Sequence, residues 1–306
     1  DPDAARFMSV ARSGPMALAM LQADAALAPT RYQAESFPPE LRGKIAVIHD
    51  GIDTDAVAPD PAARLTLPDG TEIAAGDEVL SYVGRGLEPY RGFHVFMRAL
   101  PAVLAARPDA RVVIVGSDRP SYGAPPSDAE SWKAKMLAEL GGRLDLSRVH
   151  FTGHLPPRDY RRVLQIARVH CYLSYPFVAS WSLAEAMSAG ALIVASDTEP
   201  VREFITDREH GILVPFFDRA ALEGVLIGAL SGAIPQADRM RAAARARIVS
   251  RYDLRRICLP RIIDWVERNA PRQPFAAPGQ TQIAALPRPG FHGKRDDEQA
   301  AEAENG

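Results

Sequence analysis

The sequence predicts an α/β protein organised around a doubly wound parallel sheet, and three observations carry that prediction. Six apolar runs recur from residue 78 onward: Val79–Val83, Arg111–Val115, Val149–Thr152, Val169–Leu173, Leu192–Ala195 and Ile212–Pro215. Helical patterns separate them. Phe93, Phe96, Met97, Leu100, Val103 and Leu104 fall on one face, as do Tyr160, Val163, Leu164 and Ala167. The stretch from Ser174 to Ser196, SYPFVASWSLAEAMSAGALIVAS, packs strand end, loop, helix and strand into one βαβ-like unit. Such alternation requires a parallel sheet with helices on both faces, and ligands then gather at the carboxyl ends of the strands.

Each helix has its own punctuation. The pattern Leu183 to Ala189 is stopped by Gly190, and Pro101 is expected to kink the helix that contains Phe93 to Leu104. Two more helical stretches, Ala220–Leu230 and Asp238–Arg251, follow the last strand. A closing helix over Leu254–Arg268 carries Ile257, Leu259, Ile262, Ile263 and Val266, with Pro260 interrupting it.

Ahead of the sheet, Phe7, Met8 and Ala11, then Met16, Leu18 and Leu21, repeat at helical spacing about a Ser13-Gly14-Pro15 break. Ala25–Ala28 and Lys44–Ile48 read as strands, with a helix between them from Arg31 to Ser36. Residues 55–77, with Pro59, Pro61, Pro68 and Gly70, read as a polar linker. The tail from 270 is Pro-rich, then highly charged, and reads as disordered.

Composition narrows the function classes. With 306 residues, 47% hydrophobic and 24% charged, the chain is long enough for about two ordinary domains. A net charge of −2 gives no basic field for nucleic acid or an acidic membrane surface. Cys171 and Cys258 stand alone, as expected of reduced thiols in a cytoplasmic protein. No apolar run approaches the about 18 residues of a membrane span, and no metal-ligand spacing is visible. The first residue is Asp rather than Met, which reads as a fragment.

The loop before the Leu183 helix is where a strand end, open backbone amides and a helix dipole converge, an arrangement suited to phosphate. Glu185-Ala186-Met187-Ser188-Ala189-Gly190 lies there, and Gly84-Arg85-Gly86 and Arg91-Gly92 follow the first strand of the domain. In combination these segments resemble the family 4 retaining glycosyltransferases. The resemblance covers about 25 to 268 and implies a GT-B fold, with a Rossmann-like C-terminal domain and a partial N-terminal domain. The layout it implies is a remnant of the acceptor domain over 1–54, the linker over 55–77, the nucleotide-sugar domain over 78–252, a closing helix over 253–269 and the tail over 270–306.

The resemblance also implies roles. Arg85 and Arg91 would stabilise the departing diphosphate, and Glu185 would hold the ribose hydroxyls. Gly84 ends the first strand, the amides of Ser180, Trp181, Ser182 and Leu183 would meet the distal phosphate, and Gly153, His154 and Leu155 would flank the base. On residue type alone, plainer readings stand beside these: two solvated surface arginines, a capping box from Ser182 to Glu185, and Trp181 as a core aromatic. The family has a first Glu, contacting a hydroxyl of the transferred sugar, where this chain has Phe177, which leaves three readings: decayed activity, a different donor sugar, or another contact in place of the Glu.

The function expected is transfer of a hexosyl group from a nucleoside-diphosphate sugar to an unidentified glycan, lipid or small-molecule acceptor, with retention and without metal or other cofactor. The alternative is a non-catalytic or truncated nucleotide-sugar-binding module. A dinucleotide-dependent oxidoreductase would need a third glycine where Pro89 stands. A nucleotide-sugar epimerase would share the two-domain architecture.

Overall fold

A computed structural model describes residues 14–67 and 69–270. The helical pattern at Phe7, Met8 and Ala11 and the stretch from 271 onward lie outside the described residues. Helix α1 (14–22) leads, and Met16, Leu18 and Leu21 stand exposed on it. Next come β1 (Ala26–Ala28), α2 (Arg31–Glu35), α3 (Pro39–Arg42) and β2 (Ile45–Val47), with β1 and β2 paired in parallel. The Thr30 side chain accepts the Gln33 amide at the start of α2. Pro39 opens α3, where a missing N–H leaves no bond unmade.

Residues 55–77 do more than link. They contain a hairpin, β3 (Arg64–Thr66) antiparallel to β4 (Glu72–Ala74). Ala63, Leu65, Leu67 and Ile73 are buried in one cluster with Val79, Val113 and Val163. The period of two from Ala63 to Leu67 puts all three apolar side chains on one face, a signal the surrounding Pro and Gly obscure.

The main sheet is built from β5 (Val79–Gly86), β6 (Arg111–Ser117), β7 (Val149–Gly153), β8 (Val169–Tyr172), β9 (Leu192–Ser196) and β10 (Ile212–Val214). The intervening helices are α4 (Phe93–Ala106), α5 (Trp132–Leu140), α6 (Pro157–Ile166), α7 (Trp181–Ala189) and α8 (Glu199–Arg202). All six strands run parallel in the order β10-β9-β8-β5-β6-β7. The chain thus starts at the centre with β5, moves outward to β7, and returns to place β8 on the other side of β5. The strand order reverses between β5 and β8, where an open α/β sheet has its ligand crevice.

Alternation along the strands fills both faces. Leu192 and Val194 join one core with Leu80, Tyr82 and the apolar face of α4, while Ile193 and Ala195 join the other with Leu183, Met187 and Ile248. Helix α4 runs on through Pro101 rather than ending there. Helices α9 (Arg219–Ser231) and α10 (Ala237–Tyr252) follow β10. A π-helical turn over Leu254–Cys258 then leads into α11 (Leu259–Asn269). The expected interruption therefore comes before Pro260, which sits in the first turn of α11 where proline is tolerated.

The N-terminal piece is tied to this body by named bonds. The Glu203 carboxylate accepts the amides of Arg31 and Tyr32 at 2.8 and 3.1 Å, capping α2. The Ile52 amide donates to the Tyr252 carbonyl, and the Leu254 amide donates to that of Ile52, both at 2.8 Å.

Candidate active site

The crevice at the strand reversal is framed first by Arg91. A short 3-10 turn over Pro89–Arg91 leaves the end of β5 and closes on Gly92, whose φ is +68°. A Cβ at Gly92 would lie 2.3 Å from that of Leu173, so only glycine lets this turn lie against the β8 end. The turn inserts Arg91 until it is 5% exposed. Its Nη1 donates to the Val178 carbonyl at 3.0 Å, to Ser174 Oγ at 3.3 Å and to the Tyr172 hydroxyl at 3.4 Å. These partners are neutral, and among the described residues no carboxylate makes an ion pair with Arg91. A buried cation without a counter-ion is costly, and an arrangement of this kind suits an anionic ligand. The solvated-surface reading fails for Arg91; Arg85 is exposed, as that reading has it.

Arg85 and Arg91 line one cleft of 320 Å³ together with Ser180 and Trp181 from the start of α7. Thr30, His49 and Asp50 close it from the N-terminal piece. Gly84 is buried near the end of β5, within the register shift between Val83 and Gly86.

Helix α7 begins two residues earlier than a capping box from Ser182 would have it. Ser180 is the N-cap, and its side chain meets Ser182 Oγ at 2.7 Å rather than a backbone amide. Two of the four amides expected at the phosphate are already used: Ser180 N–H donates to the Tyr172 hydroxyl at 2.8 Å, and Leu183 N–H to the Ser180 carbonyl at 3.2 Å. Among the described residues no acceptor meets the amides of Trp181 and Ser182. Trp181 is 56% exposed and its indole N–H donates to Asp50 at 2.9 Å, which overturns its reading as a core aromatic.

The expected capping box is absent. Glu185 instead accepts the Tyr160 hydroxyl at 2.5 Å. Burial raises its carboxyl above the usual range, and the Tyr160 bond opposes that rise. Leu155 and Tyr160, with Val83, pack against the cluster of Val79, Val113 and Val163. Gly153 takes a φ of +65° at that end, and His154 is exposed. Glu185 and residues 153–155 lie outside the residues lining the arginine cleft. Phe177, also outside that lining, is 38% exposed and borders Tyr122 and Tyr90.

Four residues not singled out as site candidates belong beside these. Tyr122 lines the cleft, and Asp50 faces it across the N-terminal piece. Tyr160 was legible only as an apolar-face residue of α6. Glu88, fully buried, accepts the amides of Ser121, Tyr122 and Gly123.

The sequence matches the family model of glycosyl transferases group 1 over residues 64–247 and that of the glycosyl transferase family 4 group over 2–57. The chain belongs to the group 1 glycosyltransferases. The phosphatidyl-myo-inositol mannosyltransferase of Mycolicibacterium smegmatis is 32% identical to this glycosyltransferase over 222 residues, 70% of this chain and 50% of that protein. The protein of the same name from Mycobacterium tuberculosis is 34% identical over 223 residues, covering 70% and 52%. The chain therefore spans about half the length of these relatives. Among solved structures, Anabaena HepE in complex with UDP-glucose aligns with a TM-score of 0.63 at 18% identity, over 80% of this chain and 64% of that one. Sucrose-phosphate synthase from Thermosynechococcus elongatus gives 0.63 at 23%, over 81% and 59%. These likenesses are of fold, and the fold is the expected GT-B type with its Rossmann-like domain.

Proposed function

We propose that this chain carries the donor site of a retaining hexosyltransferase, which moves a sugar from a nucleoside diphosphate to an acceptor hydroxyl. The carrying observation is Arg91, a guanidinium buried with only neutral partners in the cleft it shares with Arg85. As the bond between anomeric carbon and phosphate oxygen breaks, negative charge builds on the diphosphate. Two positioned cations stabilise that charge more in the transition state than in the ground state. The unmet amides of Trp181 and Ser182 at the start of α7 add oriented donors, and the role needs no metal ion. Glu185, held by Tyr160, takes the ribose hydroxyls; Gly153 to Leu155 flank the base.

Glycan, lipid and small-molecule acceptors all fit this donor chemistry. The buried thiols of Cys171 and Cys258 suit a cytoplasmic setting. A second reading, a module that binds nucleotide-sugar without turnover, is favoured by one residue: Phe177 where the family has Glu.

The test is calorimetric titration of UDP, GDP, ADP and their sugars into the chain and into Glu185→Ala, followed by an assay of donor hydrolysis. One nucleoside diphosphate binding tightly, weakened in the variant, supports the donor site, and hydrolysis separates enzyme from binding module. No binding by any of them to folded protein contradicts both.

A further inference from the structure

Phe177 stands inside a built aromatic corner. Its ring centroid is 4.8 Å from that of Tyr122 at an interplanar angle of 64°, and 6.2 Å from that of Tyr90. The Arg91 guanidinium carbon lies 5.3 Å from the Tyr122 centroid and 5.7 Å from that of Phe177. Both rings thus press on the cation expected to hold the diphosphate. Phe177 and Tyr122 are 38% and 47% exposed, so the corner remains open to a ligand.

Tyr122 is fixed there from beneath. Glu88, with no exposed surface, gathers the amides of Ser121, Tyr122 and Gly123 at 3.2, 3.1 and 2.7 Å. A Cβ on Gly86 would meet the Arg119 carbonyl at 2.6 Å and Ser121 Oγ at 2.8 Å, so the loop lies directly on the strand end. A loop gripped this closely presents its ring in one place.

We infer that Phe177 and Tyr122 form an aromatic wall for the transferred sugar, and that the site selects a hexose lacking the hydroxyl that would face residue 177. The inference rests on the donor-site reading above and specifies its substrate class, a nucleoside-diphosphate deoxyhexose. A carboxylate at 177 would accept a sugar hydroxyl; a phenyl ring accepts none. A hydroxyl pressed on the ring loses its water without gaining a partner, whereas a methyl or methylene edge packs favourably. A site built around a hydroxyl rejects the deoxy analogue strongly, and an apolar wall reverses the order modestly.

The experiment compares affinities of the chain for GDP-mannose and UDP-glucose with those for counterparts that lack one hydroxyl at a time, alongside GDP and UDP alone. The expected result is that one deoxy counterpart binds at least as tightly as its parent, while Phe177→Gln favours the parent by about tenfold. Phe177→Leu is expected to keep the original order with weaker binding throughout. A parent that binds more tightly than every deoxy counterpart, or an order unchanged in Phe177→Gln, overturns the inference while the diphosphates alone still bind. Failure of GDP and UDP to bind overturns the donor-site reading and this inference with it.

Discussion

The Tyr160 hydroxyl on α6 donates to the Glu185 carboxylate on α7 at 2.5 Å, joining the two helices at the mouth of the sheet. Burial raises the Glu185 carboxyl and this bond lowers it, so its ionisation depends on Tyr160. A ribose site needs the ionised form, which accepts from both hydroxyls. Acidification should therefore weaken nucleotide binding, and Tyr160→Phe should move that weakening to higher pH. Dissociation constants measured between about pH 5 and 8 for both proteins check the direction.

Glu88 should matter for stability more than its loop position suggests. Glu88→Ala leaves the part-buried amides of residues 121–123 without their charged acceptor, at a cost of about 1–3 kcal/mol. Urea unfolding of the two proteins measures it, and the loop amides should show faster hydrogen exchange in the variant.

Glu203 is the remote cap of α2, reaching it from beyond α8. Glu203→Ala should destabilise the N-terminal piece by about 0.5–2 kcal/mol, the range of a lost N-cap. Exchange confined to residues 26–47, with the main sheet unchanged, is the expected pattern.

His170 predicts acid sensitivity. It is fully buried on β8, its Nδ1 meets Ser81 Oγ at 2.8 Å, and burial lowers its pKa from 6.5 to about 3. The unfolded chain takes up a proton below pH 6.5 that the folded chain refuses until about pH 3. Stability contributed by the neutral form is thus full above 6.5 and falls through that window, by about 1.4 kcal/mol per pH unit once the unfolded imidazole is charged. NMR titration of the folded chain should find His170 neutral at pH 5, and urea unfolding should show the decline from this group.

The six strands were legible because apolar runs of strand length alternate with helical faces, and local pattern decides both. The hairpin at 64–74 was not, since Pro61 and Gly70 carry the marks of a loop while Leu65, Leu67 and Ile73 supply few apolar positions. Glu185 lies at the helix mouth as expected, but the capping box weighed for it is absent and Tyr160 is its partner. A capping box is a local bond that sequence can suggest, whereas Tyr160 meets Glu185 only through packing of α6 on α7. Trp181 shows the same limit: hydropathy assigns an indole to the core, and Asp50, distant in sequence, holds it at the surface. Tyr122 and Glu88 lie in segments without periodicity, so nothing before the fold joins them to Arg91.

The most direct test of the donor site is a crystal structure of the chain with the nucleoside diphosphate that binds in solution. The account predicts diphosphate oxygens within about 2.7–3.2 Å of the Arg85 and Arg91 guanidinium groups, beside the amides of Trp181 and Ser182. A nucleotide bound elsewhere, with Arg91 still facing only Val178, Ser174 and Tyr172, would contradict it.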